Sequence, residues 1–391
     1  MSRVMAKTVF YASIGPELFL FDVDVDGAAL TRRSAVTLPA NIQYAWPHPS
    51  RRLLYVVSSN GGPGLAGDTH RANALLIEPE TGALRLHGAA AVLPSRPIHV
   101  SVDAAGEYLL TAYNNPSGVT VHRLQADGTI GAAVAQPQDI DTGIYAHQIL
   151  ATPSNRTVTL VTRGNDAKPD KPEDPGAIKT FGFADGVLSN LASIAPGTGL
   201  GFGPRHLDFH PGKPWAFVSI ERQNQLYVYR LEAETGLRRE PMFVAGTLSN
   251  PNPAVRQAAG AIHVHPSGKF VYLTNRASDL VDHDGKKLFP GGENNVAVFA
   301  VDQATGEPKL IQNAEGGAVE LRTFSIEPGG RMLVAASIRP VPVRDGDGSR
   351  TVPARLCTFH IASDGKLELK RQYDVDTGNG QQFWSGMVTR G

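Results

Sequence analysis

One stretch of this 391-residue chain sets a guanidinium and a carboxylate where they could act together. It runs Gly201-Phe-Gly-Pro-Arg205-His206-Leu-Asp-Phe-His210-Pro211-Gly-Lys and continues Pro214-Trp-Ala-Phe-Val-Ser-Ile-Glu221. The pattern reads as a short strand, a Pro-Gly turn and a second strand ending in an acid. An antiparallel pair returns the chain beside its own start, so Arg205 and Glu221 should meet at one end of a hairpin. A carboxylate beside arginine stays ionised and serves as base or positioner. The guanidinium can stabilise an oxyanion.

The turn inside that stretch recurs, and it organises the whole chain. Turn signals followed by apolar runs stand at positions 49, 104, 153, 211, 266 and 328, with spacings of 55, 49, 58, 55 and 62. Each unit adds a third strand such as Gln225-Leu-Tyr-Val-Tyr-Arg230, a turn such as Asp302-Gln-Ala-Thr-Gly306, and a fourth strand. An all-strand repeat on the order of 50 residues marks a β-propeller. Thr8 to Ile14, Leu18 to Val25 and Leu30 to Thr37 lack an inner partner, and Phe383 to Thr389 lacks outer ones. Joined, they make a seventh blade and close the ring, which removes exposed edges. The expectation is an all-β, seven-bladed propeller occupying residues 1–391 as a single domain, against the two or three domains that length alone suggests.

The repeat gathers further candidates at one mouth of the central channel. Counted back from the turns, His147, Arg205 and Arg322 hold the same place, and His99, Gln148 and His206 fall one later. Alternation along a strand predicts that these two sets face opposite ways and share no surface. His263 comes from the fifth inner strand, and the second strands end with Asn114, Arg163, Glu221 and Arg276. Converging arginines, a glutamate and a histidine suit an anionic substrate and carbonyl or enolate stabilisation. The same residues could instead form an inter-blade salt-bridge network that closes the channel. Long insertions at Asn60 to Asn73, Gly164 to Gly176, Ser278 to Asn294 and Arg339 to Pro353 all fall on the same face, as the walls of a pocket would.

Composition narrows the alternatives. Basic and acidic residues balance at 37 each with no long basic block, which argues against nucleic acid. Cys357 is the only cysteine, which excludes an intrachain disulfide framework and suits a reducing compartment. No apolar run approaches a membrane helix, and Thr8 to Ile14 is too short for a signal-peptide core. A cytoplasmic protein, monomeric or weakly self-associating, is expected. Gly62-Pro-Gly64-Leu-Ala-Gly67 precedes a strand pattern rather than a helix and so is no dinucleotide loop. Asp22-Val-Asp24-Val-Asp26-Gly27 has Arg33 where a calcium loop needs glutamate, and reads as a hairpin. His263-Val-His265 offers at most a partial metal site, and no metal or cofactor is expected.

The chain resembles the seven-bladed propeller lactonases, which include 6-phosphogluconolactonases of the cycloisomerase-2 type and fungal-type 3-carboxy-cis,cis-muconate lactonising enzymes. The resemblance rests on Gly203-Pro-Arg205-His206-Leu-Asp-Phe-His210-Pro, Ala261-Ile-His263-Val-His-Pro-Ser-Gly-Lys through Asn275-Arg276, Tyr145-Ala-His147-Gln, Ser95-Arg-Pro-Ile-His99 and Gly378-Asn-Gly380. It implies a catalytic set of His147, Arg205, Glu221 and Arg276, with His99, Asn114, Arg163, His206, His263 and Arg322 left as substrate-binding candidates. Leu321-Arg322 and Gln381-Gln-Phe-Trp384 depart from the family's usual Pro-Arg and Gly-Pro-Met-Trp. Those departures bear on which substrate fits. The implied reaction is hydrolysis of an acidic sugar lactone. The alternatives are cycloisomerisation of an unsaturated dicarboxylate, with the same residues clamping its carboxylates, and a non-catalytic interaction platform.

Overall fold

The computed structural model describes residues 8–62, 65–346 and 348–390. Seven antiparallel sheets stand in a ring, and in all but the last the strands run outward from the channel in chain order. The inner strands of blades 1 to 6 are Asn41–Pro47, Pro97–Val102, Ala146–Ala151, Pro204–Phe209, Ala258–Val264 and Leu321–Ile326. Blade 7 takes its inner strand, Ser385–Thr389, from the C-terminal end and its other three, Thr8–Ile14, Glu17–Asp24 and Ala29–Thr37, from the N-terminal end. The closing strand is thus shorter than expected, and Phe383 and Trp384 precede it. Among the described residues the helical content is one 3-10 turn, Pro196–Gly199.

The core is divided among the junctions between blades. One cluster joins blades 5 and 6 through Tyr272, Val298, Phe324, Leu333 and Phe359. Another joins blades 6 and 7 through Phe10, Leu30, Met332, Leu356 and Met387, and a third joins blades 7 and 1 through Tyr11, Leu20, Leu54 and Val388. Both faces of each inner sheet are therefore covered, which explains the near-continuous apolar runs such as Leu53–Ser59, buried throughout. Each such side chain contributes roughly 1.5–3 kcal/mol on burial.

Polar contacts fix the angle between blades. Tyr11, Tyr55 and Tyr272 each donate from the hydroxyl to a glycine carbonyl of the next blade, at 2.6, 2.8 and 2.9 Å. The His-Pro turns add a second register. Nδ1 of His210 accepts from the Gly212 and Lys213 amides of its own turn, while the ring lies against Gly268 of blade 5. His48 and His265 repeat this, bonding the carbonyls of Gly106 (3.1 Å) and Gly330 (2.8 Å). The glycine is required twice over at Gly268, because φ is +73° and any Cβ would run into the His210 ring.

All four insertions follow the second strand of their blades, on the face where Arg205 and Glu221 lie. Those of blades 5 and 6 fold into hairpins, Val281–His283 with Lys286–Leu288 and Val341–Asp345 with Gly348–Val352. They lean on one another: the Phe289 amide donates to the Pro342 carbonyl (2.8 Å), above a small cluster of Val319, Val341 and Val352.

The turn glycines give a direct check. Gly268→Ala should lower unfolding free energy by about 2 kcal/mol or more in urea denaturation. Gly212→Ala, where φ is ordinary and nothing lies within 4 Å of the added methyl, should change it by less than about 0.5 kcal/mol.

Candidate active site

The mouth residues are aimed by a repeated backbone device. In blade 4, Pro204 pairs with Ile220 and His206 with Ser219, so Arg205 is an extra, unpaired residue. His147 in blade 3 and Arg322 in blade 6 occupy the same kind of bulge. Two residues before each, the chain is left-handed: φ is +61° at Tyr145, +51° at Gly203 and +60° at Glu320. That conformation is unfavourable for tyrosine and glutamate and costs on the order of 1–3 kcal/mol. A bulge bends the strand and redirects its side chain.

The bulge overturns the expected split between the two sets of mouth residues at His206, while His99 and Gln148 stay off the cavity wall. Arg205 and His206, though adjacent, both line one channel cavity of about 1050 Å³. His147, His263, Arg322, Tyr44 and Phe383 line it too. The His147 and His206 rings meet edge to face, 4.9 Å apart, where strict alternation would have separated them.

Beside this cavity Glu221 sits among three guanidiniums from three blades. Its Oε2 is 3.3 Å from Arg205 Nε, and its Oε1 is 3.3 Å from Arg163 Nε and 3.7 Å from Arg276 Nη2. Glu221 and Arg163 directly follow the second strands of blades 4 and 3, and Arg276 ends that of blade 5. Burial alone would raise the Glu221 pKa, but Arg276, Arg163 and Arg205 outweigh it and hold the carboxyl below its ordinary value. Arg205 is only 4% exposed, and its burial, with Arg276 nearby, pushes it well down. Arg163 is drawn the other way: despite burial, Glu221 and Asp166 (2.9 Å) keep it raised. Asp166 also takes Arg222 (2.9 Å) and Arg256 (3.0 Å), tying the blade 3 insertion to blade 4 and to the segment leading into blade 5.

Three of the histidines, His99, His147 and His206, are held neutral. Burial, reinforced by Arg205, drives His147 and His206 well below the usual imidazole value and His99 to about 3. His147 Nδ1 has no partner among the described residues, and its ring stacks on Tyr145 (6.2 Å). His263 lies on Phe324 (4.8 Å), with Nδ1 3.6 Å from Asp208 Oδ2.

His99 and Asn114 stand apart from both the Glu221 cluster and the cavity. His99 is wholly buried behind it, packed on Tyr44 (4.2 Å) and Trp46 (5.7 Å). Asn114 sits opposite Ser117 at the end of blade 2's second strand and does not line the cavity. Conversely, Arg96, which is not among the sequence candidates, belongs to the mouth. It bonds Gln43 Oε1 (2.8 Å) and faces the Phe383 ring (5.8 Å). It lies just before blade 2's inner strand, at the repeat place held by Tyr145, Gly203 and Glu320 in their blades and two residues before that strand's bulge. Among the described residues no three His, Cys, Asp or Glu side chains are grouped to hold a metal ion, and His265 is engaged by Ser267 and Gly330.

Fold and site together define a closed propeller with an arginine-rich, carboxylate-centred mouth. The chain belongs to the family described as Lactonase, 7-bladed beta-propeller, which it matches over residues 10–339. Among curated relatives, the 6-phosphogluconolactonase of Bacillus subtilis is 26% identical over 348 residues, covering 86% of this chain and 89% of that one. That of an Enterobacter species is 28% identical over 334 residues, covering 85% and 88%. Of solved structures, a periplasmic gluconolactonase from Pseudomonas aeruginosa superposes with a TM-score of 0.72 at 21% identity, covering 95% and 97% of the two chains. A putative 6-phosphogluconolactonase from Bacteroides uniformis gives 0.73 at 20% identity, covering 98% and 99%. These structural matches show the shared fold.

The neutral histidines make stability depend on pH. Their folded values lie below the unfolded value of about 6.5, so the unfolded chain binds more protons once pH falls below that point. Stability contributed by His99, His147 and His206 is complete above about pH 6.5 and should fall by about 1.4 kcal/mol per pH unit for each as acid is added. Urea unfolding between pH 6 and 4 should show a shallower pH slope in His99→Gln, by about one proton. An unaltered slope would contradict the neutral assignment.

Proposed function

We propose that this lactonase hydrolyses an anionic sugar lactone at the channel mouth, using His147, Arg205, Glu221 and Arg276. The observation that carries the reading is Glu221 gripped by three arginines beside a cavity walled by an unpartnered, neutral His147. The names of the relatives support a sugar lactone as substrate.

The electrostatics separate the roles of the two candidate acid–base groups. Glu221 is held ionised by its arginines and is a poor proton acceptor, so its role is to orient Arg205 and Arg276. Those guanidiniums polarise the lactone carbonyl and receive the negative charge that develops on its oxygen. His147 takes a proton from water as the water oxygen bonds the carbonyl carbon. The tetrahedral intermediate then expels the ring oxygen, which takes that proton from His147 and leaves as a hydroxyl. The products are a carboxylate and an alcohol, with the carboxylate proton released to solvent. His147 is depressed in part by Arg205, Arg322 and Arg163, and a bound anion offsets those charges and raises its basicity toward working pH. Water attack needs no cofactor, and the single buried, unpaired Cys357 suits a reducing, cytoplasmic setting. A monomer or weak homo-oligomer is proposed with it.

Arg205→Lys keeps the charge but loses the planar fork, and should lower kcat by about 10²–10³-fold. His147→Gln should lower it by about 10²–10⁴-fold with little change in KM. Purified protein should open 6-phosphogluconolactone, followed by acid release, and leave the ultraviolet absorbance of 3-carboxy-cis,cis-muconate unchanged. Loss of that absorbance without lactone opening would instead establish the cycloisomerase. No turnover of either, with mouth variants indistinguishable from wild type, would leave a binding platform.

A further inference from the structure

Arg163, Arg205 and Arg276 share one carboxylate, but two other guanidiniums at the mouth share none. Arg322 CZ lies 4.2 Å from the centre of the Phe383 ring, and Arg96 CZ lies 5.8 Å from it. Neither Arg96 nor Arg322 pairs with an acid among the described residues; Glu320, near Arg322 in the chain, is 3.9 Å from Arg339 instead. Gln43, Arg322 and Phe383 line the cavity, and Arg96 reaches its rim through the 2.8 Å bond to Gln43. The four residues come from the inner-strand regions of blades 1, 2, 6 and 7. Glu221 follows the second strand of blade 4 and belongs to none of these blades, although Arg322 is near enough to Arg276 and Glu221 for their charges to act on it.

We infer that Arg96 and Arg322, held on Phe383, form a subsite for a phosphate monoester dianion carried by the substrate away from its reacting carbonyl. This rests on the lactonase reading of the mouth. Stacking on an aromatic face holds a guanidinium while leaving its N–H rim free for a planar, two-pronged grip on phosphate oxygens. Two unshared cations match two negative charges. Burial depresses both arginines, Arg322 further through Arg276, so an anion between them relieves an unfavourable concentration of charge. Gln43 adds an amide already oriented by Arg96. The subsite separates two tasks at one mouth: the Glu221 cluster meets the carbonyl, and the Phe383 pair reads the substituent.

The test compares kcat/KM for 6-phosphogluconolactone and unphosphorylated gluconolactone. Arg96→Gln and Arg322→Gln should each lower the ratio of the two by about 10–100-fold, mainly through KM for the phosphorylated lactone. Arg96→Lys, the variant safest for folding, should lower it by about 3–10-fold, because charge remains but the fork is lost. Calorimetric titration with inorganic phosphate supplies a readout independent of turnover. Its affinity should weaken in Arg96→Gln and Arg96→Lys. Ratios within about twofold of wild type, or phosphate binding that does not change in these variants, would overturn the subsite. If wild type opens neither lactone, the catalytic reading fails, and the phosphate titration alone still decides the subsite.

Discussion

A buried carboxylate that must serve several buried guanidiniums is the constraint around which this molecule is arranged. Bringing Arg205, at 4% exposure, and its neighbours out of water costs several kcal/mol per charge, and attraction to Glu221 offsets part of it. The geometry is attainable because inner and second strands of successive blades converge on one rim. Arg163, Arg205 with Glu221, and Arg276 come from blades 3, 4 and 5 without any long loop crossing the channel. The offset stays incomplete. Glu221, helped by Asp166 only at Arg163, leaves a positive mouth, and the imidazoles around it are kept neutral first by burial and then by those charges.

The second requirement is local and is met in the backbone. A propeller strand that obeyed alternation would present every second side chain to the channel, too sparse a lining for a polar site. Bulges at His147, Arg205 and Arg322, each preceded by a left-handed residue, let neighbours such as Arg205 and His206 share one wall. Tyr145 and Glu320 accept an unfavourable φ there, and the stiff surrounding sheet holds them in it. Blade 7, which closes the ring, shows no such shift between Ser385–Thr389 and Thr8–Ile14. Its contribution to the mouth comes from Phe383 and Trp384, just outside the strand.

Much of this architecture is legible in the residues alone, because a propeller repeats its instructions. The turn signals at six positions locate the inner strands, and strand polarity then places Arg205 beside Glu221. Arg163 and Arg276 follow from the same polarity. The facing of side chains does not follow, since nothing in Tyr145-Ala-His147 or Leu321-Arg322 marks a bulge; only Gly203 carries a hint in its type. His99 shares the place of His206 in the repeat, yet Tyr44 and Trp46 bury it. That outcome depends on volumes from two blades. Arg96 holds the repeat place of Tyr145, Gly203 and Glu320, but its role depends on Phe383, which only the closed ring brings near.

The sewing of both ends into blade 7 has a consequence for how the protein comes into being. On a ribosome, Arg205, Glu221 and Arg276 emerge more than a hundred residues before Ser385–Thr389. Until that strand arrives, Thr8–Ile14 presents an unpaired edge and the nascent ring is an open arc. The aromatic wall at Phe383 is missing for all of that time. Arg96 and Arg322 therefore lack their stacking partner until the ring closes, and the cost of drying that side of the mouth falls on a late event, the docking of this strand. Maturation of that side of the site and closure of the ring are the same step.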